Sequence, residues 1–436
     1  MKTHLITLIK RYLETPTLLA SVIKWFILSS ISGIIVGFST SLFLHLLEIS
    51  VEATGHLQYF YLLAPAGFFI STLLIKRFAP NAEGHGTEKV IEAIHRESGR
   101  INPLIAPVKL IATIISIATG GSAGKEGPAA QIGGSLTSTF AGMLKLSDTD
   151  RKKLVVCGIS AGFSSVFGTP LAGAIFGVEV LFVGQMFYSY LFPSVVSGII
   201  AYMITTKLGV HMLITPAFTL GIEHRLFLYS VVSGIFFGIV SLIFIELMEG
   251  GRWVARHIKA GTEVKALLGG LVIAILGYVF SGRYTGLGME KIGNALTGNG
   301  VHPLSPLWKM VFTSITLNFG GSGGILTPLF YTGTMSGSVF AGWFGLDRAL
   351  FAALGLVSVL SGAANTPIAG SIMAIELFGP SIAPYAGIAC VISFIVSGHR
   401  SVYPSQILLS PKSPSIQVDR GKEIHRVRPV LRKKGD

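Results

Sequence analysis

The chain has 436 residues, half of them hydrophobic and 13% charged, with a mean hydropathy of +0.67, which excludes a soluble globular domain and points to lipid. Its formal charge of +13 gathers at the termini and in short loops. No amphipathic or aromatic-interleaved basic face is present, so a membrane surface explains the charge and a nucleic-acid partner does not.

In chain order, uncharged stretches of spanning length run from Trp25 to Leu44, Leu57 to Ile75, Leu154 to Val178, Leu181 to Thr206, Leu226 to Ile245, Met310 to Leu346, Leu350 to Ile375 and Phe378 to Gly398. About twenty apolar residues make one helical crossing, so the longest stretches have room for two. Hydrocarbon offers peptide groups no partners, and apolar runs without strand alternation therefore predict an all-α polytopic membrane protein. The first run is of full spanning length and lacks a small-residue cleavage site, so it reads as retained. Lys2, Lys10 and Arg11 precede the first span, while Arg400, Lys412, Arg420, Lys422, Arg426, Arg428, Arg432, Lys433 and Lys434 follow the last. The positive-inside bias then places both ends in the cytoplasm, which requires an even number of crossings. Three regions are expected: a cytoplasmic segment 1–21, a transmembrane domain 22–410, and a basic cytoplasmic tail 411–436. The tail is poor in large apolar residues and reads as disordered or lipid-facing. Cys157 and Cys390 sit inside apolar runs at no metal-binding spacing and read as buried bystanders.

Glycine, at 53 residues, interrupts several apolar runs, and two of the interruptions recur. Gly120-Gly121-Ser122-Ala123-Gly124-Lys125-Glu126-Gly127-Pro128 matches Gly320-Gly321-Ser322-Gly323-Gly324-Ile325-Leu326-Thr327-Pro328 at a separation of 200 residues, and Gly168-Thr169-Pro170-Leu171-Ala172-Gly173 matches Asn365-Thr366-Pro367-Ile368-Ala369-Gly370 at 197. Two matches at nearly one offset imply a duplicated chain, with halves of roughly 22–210 and 225–410. Duplicated transporters hold substrate where broken helices meet, and helix N-termini, with free N–H groups and the positive end of the dipole, suit an anion. Within the first segment Glu126 stands between glycines at the end of an apolar run. An acid at that depth is functional by default; the alternative is a surface loop with a solvated Lys125–Glu126 pair.

The segment Gly124-Lys125-Glu126-Gly127-Pro128 resembles the second signature of the CLC family of chloride channels and proton-coupled chloride transporters, and the likeness continues through Ala129-Ala130-Gln131-Ile132-Gly133-Gly134. Gly324-Ile325-Leu326-Thr327-Pro328 is similar to the third signature, with Leu326 where Phe is usual, and Phe167-Gly168-Thr169-Pro170-Leu171-Ala172-Gly173 resembles a further family segment. The resemblance spans roughly Pro80 to Ile407, with the motifs in the family's order and spacing. It implies two inverted repeats of tilted, broken helices, a homodimer with one anion pathway per subunit, and a lipid bilayer, in bacteria the inner membrane. It also implies Glu126 as the gate, occupying an anion site when ionised and leaving it when protonated or displaced by chloride.

By the same resemblance the anion-binding set is His85, Gly86, Lys125, Gly127, the backbone N–H groups of Ile325 and Leu326, and the hydroxyl of Tyr403. Tyr403 otherwise reads as an interfacial aromatic beside the basic tail. Two departures stand out. Gly84-His85-Gly86-Thr87-Glu88 replaces a first signature that carries serine at position 85; the imidazole either donates an N–H to the anion or turns aside and leaves the work to the glycine backbone. Alignment also puts Val180 where proton-coupled members carry a glutamate, with Glu179 beside it as the remaining proton-path candidate. Val180 and Lys125 lean towards a passive chloride channel, with a proton-coupled chloride antiporter or a carrier of fluoride or nitrate as alternatives. Pro128 argues for chloride over fluoride. No cofactor is expected, and no converging nucleophile, base or metal set suggests an enzyme. A carrier of larger anions should show Arg or Lys inside its spans, and the uncharged runs show none.

Overall fold

The structure is a computed structural model that describes residues 2–210 and 215–431. Its first half comprises α1 (Lys2–Gly55), α2 (Ala64–Phe78), α3 (Thr87–Arg96), α4 (Ile105–Ala118), α5 (Glu126–Met143), α6 (Asp148–Phe167), α7 (Pro170–Glu179) and α8 (Leu191–Lys207). The second comprises α9 (His224–His257), α10 (Thr262–Val279), α11 (Met289–Leu296), α12 (Ser305–Asn318), α13 (Leu326–Phe344), α14 (Arg348–Ala364), α15 (Pro367–Phe378) and α16 (Ala383–Val396). Five helical segments among the described residues are long and apolar enough to cross a membrane: Glu14–Gly55, Phe60–Phe78, Tyr188–Lys207, His224–His257 and Thr262–Val279. Helix α1 runs without a break through the boundary drawn at residue 21.

The long uncharged runs divide where their sequence stops supporting a helix. Helix α6 ends at Gly168 and α14 at Asn365, both left-handed, with φ of 71° and 58°. Glycine takes that conformation freely and asparagine more readily than other side chains. Pro170 and Pro367 then open α7 and α15, because the first turn of a helix does not use the N–H that proline lacks. The run from Met310 to Leu346 divides in the same way between α12 and α13, at Gly320 to Gly324.

The halves repeat one plan. Helix α5 packs on α6 as α13 does on α14, and α1 packs on α8 as α9 does on α16. Across the halves α2 meets α10 and α7 meets α15, so the two copies share one core, joined for example by the Phe167 and Phe330 rings with centroids 4.7 Å apart. At the centre, Gly124 and Gly324 pair antiparallel: each N–H donates to the other's carbonyl, at 2.7 and 2.6 Å. That reciprocal pair lies on the pseudo-twofold axis of an inverted repeat.

The same symmetry governs polar contacts. The Ser122 hydroxyl meets Thr313 Oγ1 and the Ser122 N–H donates to Thr316 Oγ1, while Ser322 does the same with Thr113 and Ser116. The Glu179 carboxylate accepts from the N–H groups of Ile368 and Ala369 at the start of α15, and Glu376 accepts from Leu171 and Ala172 at the start of α7. Each acid caps the orphan donors of the other half's broken helix.

The tail departs from the sequence expectation of disorder. Strand β1 (Phe182–Val183) pairs parallel with β2 (Ile407–Leu408), which pairs antiparallel with β4 (Lys422–Glu423), and β3 (Ile416–Gln417) pairs with β5 (Val430–Leu431). Ile424 and Val427 pack on Val183 and Leu408, Arg96 grips Glu423 through Nε at 2.6 Å and Nη2 at 2.7 Å, and Lys412 Nζ donates to the Phe394 carbonyl near the end of α16. A few apolar residues and ladder bonds suffice because the transmembrane domain supplies the other face. Arg432, Lys433 and Lys434 lie outside the described residues. Cys157 and Cys390 are both buried and free.

Candidate functional site

Three chain segments meet at the Gly124–Gly324 crossing. The first turn of α5 brings Glu126, the first turn of α13 brings Leu326 and Thr327, and the loop before α3 brings His85 and Gly86. A Cβ added to Gly127 would lie 2.2 Å from the His85 carbonyl, and one on Gly86 would lie 2.3 Å from the Gly127 carbonyl, so this approach of two backbones needs glycine on both sides. Gly86 also has a φ of 74°, which an L side chain resists.

Glu126 is 1% exposed. Its Oε2 accepts from the Thr327 N–H at 3.1 Å and its Oε1 from the Thr327 hydroxyl. Gly124 and Gly324 leave the space: a Cβ on Gly124 would sit 2.3 Å from Glu126 Oε2, and one on Gly324 would sit 3.1 Å from it. The carboxylate therefore rests against the N-terminus of the other half's broken helix, where dipole and free donors favour a negative charge. Ile325 and Leu326, each 1% exposed, form the turn immediately before Thr327. Lys125 opens α5 and is half-buried, with Glu126 and Glu48 as its electrostatic partners.

A second cluster adjoins the first. The His85 and Tyr403 rings have centroids 5.8 Å apart. His85 is 6% exposed, Thr87 1% and Tyr403 0%, yet His85 Nδ1, Thr87 Oγ1 and the Tyr403 hydroxyl lack a hydrogen-bond partner. Buried polar groups without partners are costly, and these three, close together, form a polar place suited to a small ion. His85 and the neighbouring Pro404 and Ser405 line a cavity of about 850 Å³. Lys76, Lys89, Arg96, Arg252, Arg256 and Lys265 there outnumber Glu83, Glu88, Glu92 and Glu249, a balance that concentrates anions.

The sequence-derived set thus divides. Glu126, Gly127 and the Ile325–Leu326 turn come together at the crossing, with Gly86 against Gly127, and His85 and Tyr403 stand beside each other. Glu179 has both oxygens committed to α15. Sequence reasoning missed Thr327, although it lies inside a quoted motif; its hydroxyl next to Pro328 in a helix's first turn was the available signal.

It also missed two cations inside helices. Lys109 on α4 and Lys309 on α12, 200 residues apart, are fully buried. Lys109 Nζ donates to the carbonyls of Ala82 and Gly84 at 3.0 and 2.5 Å, and Lys309 Nζ to those of Tyr284 and Gly286 at 3.2 and 2.7 Å. Lys109 therefore pins the loop that presents His85. Both lysines sit one residue before an uncharged stretch that begins at Leu110 or Met310, and so fall outside the runs that mark the spans.

Broken helices from two inverted repeats that bury an acid on a helix N-terminus beside a cluster of unpartnered polar groups define an anion-transport protein. Residues 67–398 match the family model described as voltage gated chloride channel, and the chain belongs to that family, the CLC family. It is 38% identical to the chloride/fluoride channel protein of Pseudomonas syringae pv. tomato, over 90% of this chain and 88% of that one. It is 29% identical to the H(+)/Cl(-) exchange transporter ClcA of Cronobacter sakazakii, over 72% and 70%. A crystal structure of a CLC-type fluoride/proton antiporter superposes with a TM-score of 0.84 at 28% identity, covering 88% of this chain and 98% of that one. A slow cyanobacterial Cl-/H+ antiporter, at 20% identity and a TM-score of 0.75 over 86% and 94%, shares the fold.

Proposed function

We propose that the chain exchanges chloride for protons across a bilayer, with Glu126 as both gate and proton carrier. The observation that carries this reading is the enclosure of the Glu126 carboxylate on the Thr327 donors at the head of α13. A carboxylate and a halide have like charge and compete for the same donors. Ionised Glu126 therefore closes the pathway, and protonated Glu126 gives up the site. His85, Gly86, Lys125, Gly127, Ile325, Leu326 and Tyr403 form the anion's surroundings, with the His85 imidazole donating an N–H in place of a serine hydroxyl.

The sequence leans to passive conduction because Val180 cannot relay a proton. The exchange alternative is preferred because a gate enclosed this completely takes a proton inside each time it opens, and because relatives and a structural neighbour carry exchanger names. Chloride is preferred to fluoride because Pro128 closes the second signature. The protein acts as a homodimer in the bacterial inner membrane, with both ends and the basic cavity on the cytoplasmic side, as the positive-inside bias and the His425 lining of that cavity support.

Purified protein in liposomes, loaded in turn with chloride, fluoride and nitrate, tests the reading. Chloride efflux that drives protons uphill is the expected result. Fluoride or nitrate efflux without chloride efflux would reject the ion assignment.

A further inference from the structure

The exchange reading lacks an inner proton site. Val180 is apolar, and Glu179 spends both oxygens on the Ile368 and Ala369 N–H groups. A different carboxylate stands at the right place. Glu88, in the first turn of α3, lines the basic cavity together with His85 and Ser405. Its Oε1 accepts from the Ser405 N–H at 3.0 Å and from the Ser405 hydroxyl at 2.5 Å, while Oε2 is buried with no partner.

Near Glu88 stand groups with unused hydrogen-bonding capacity. Thr87 adjoins Glu88 in sequence, and Tyr403 lies two residues before Ser405. The Thr87 hydroxyl neighbours that of Tyr403, and the Tyr403 hydroxyl lies within electrostatic range of both Glu126 and Glu88. We infer that Glu88 is the inner proton-exchange site of the transport cycle, passing protons between the cavity and Glu126 past the Thr87 and Tyr403 hydroxyls.

The step balances simply. An Oε2–H bond forms on Glu88 as a cavity water or hydronium gives up a proton. That proton then moves through intervening water and hydroxyls to the Glu126 carboxylate, and Glu88 returns to its ionised form; the reverse cycle runs the same bonds backwards. Water is needed to close the gaps, and the unpartnered atoms of Thr87, His85 and Tyr403 give it the polar partners a buried water requires. Charged or titratable groups face Glu88 from each side: Lys89 and Glu92 on its own helix, Arg252 on α9, Glu83 and His85 on the preceding loop, and His425 on the tail. Burial is the largest influence and favours the protonated Glu88 carboxyl; the Ser405 donors and Arg252 favour the ionised form, and Glu92 opposes it.

The proposal rests on the exchange reading, and the test separates the two. Proton movement and chloride efflux are recorded together in liposomes for the unaltered chain, Glu88→Gln, Glu88→Asp and Ser405→Ala. Gln keeps an oxygen for Ser405 but cannot shuttle a proton, so E88Q is expected to let chloride out while the proton-to-chloride ratio falls by about tenfold or more. E88D and S405A are expected to keep coupling. Coupled transport in E88Q, or equal uncoupling in E88Q and S405A, would overturn the role, the second by reducing Glu88 to a brace for Ser405. Chloride efflux from the unaltered chain with no proton movement would overturn both exchange and the Glu88 role while leaving Glu126 as a gate. No chloride efflux at all would remove the functional reading itself.

Discussion

Thr327 gives Glu126 two donors, its N–H and its hydroxyl, and only the second depends on the side chain. A Thr327→Val substitution keeps the shape and removes the hydroxyl bond to a charged acceptor, worth about 1.5–3 kcal/mol. The ionised gate should then leave its site more easily. Chloride efflux at alkaline pH, where ionised Glu126 closes the unaltered pathway, should rise by roughly tenfold, the lower part of that range. Unchanged alkaline efflux would show that the hydroxyl does not hold the gate. At this scale the sequence was legible where chemistry is written in residue type: an acid between glycines at the end of an apolar run announces itself, and the structure buries it. Thr327, Lys109 and Glu88 were harder to see. A threonine in a helix's first turn, a lysine at the edge of an apolar run and a glutamate in a short polar helix all look ordinary until the fold supplies their partners.

The broken helices are where the duplication becomes energetic. Glu179 and Glu376 cap each other's half, and replacing either with Gln removes a charged acceptor from two orphan N–H groups, at a cost of about 1–3 kcal/mol. Both variants should lower the thermal stability of the purified protein by similar amounts and keep the proton-to-chloride ratio. Loss of proton movement in Glu179→Gln alone would instead make Glu179 the relay. Lysine 109 invites a companion experiment. Lys109→Met strands the Ala82 and Gly84 carbonyls, frees the loop that presents His85 and should narrow the preference for chloride over nitrate, as read by efflux of each ion. The breaks themselves were readable from Gly168-Thr169-Pro170 and Asn365-Thr366-Pro367, since left-handed residues and prolines end and start helices by local rules. The reciprocal caps were not, because they join residues about 190 to 205 positions apart, a pairing that only the inverted assembly creates.

The whole molecule is one core made from two copies, closed on one face by its own tail. Composition and periodicity made the membrane class plain, and the 200-residue offset exposed the duplication. The ordered tail was hidden because its stability lies mostly in partners elsewhere in the chain: Val183, Arg96 and the end of α16. The Arg96 guanidinium, bonded to Glu423, holds that carboxyl below the usual glutamate range. A depressed folded value contributes stability that is present above the unfolded pKa and lost as pH falls through the folded one. Tail attachment should therefore weaken only in acid below the ordinary carboxylate range, and modestly, since the Arg96 end of the pair is solvated. Limited proteolysis of the region after Pro411 should accelerate there and, at neutral pH, in Arg96→Ala. Equal cleavage of the Arg96→Ala and unaltered chains at neutral pH would show that the ion pair does not secure the tail.

The central claim is that protonation of one enclosed carboxylate opens the anion pathway, and the pH profile of chloride efflux from liposomes carrying Glu126→Gln tests it most directly. The unaltered chain should pass more chloride as pH falls, and the glutamine variant, fixed in a neutral form, should pass chloride at a rate that no longer changes with pH. A Glu126→Gln variant that retained the pH profile of the unaltered chain would contradict the account.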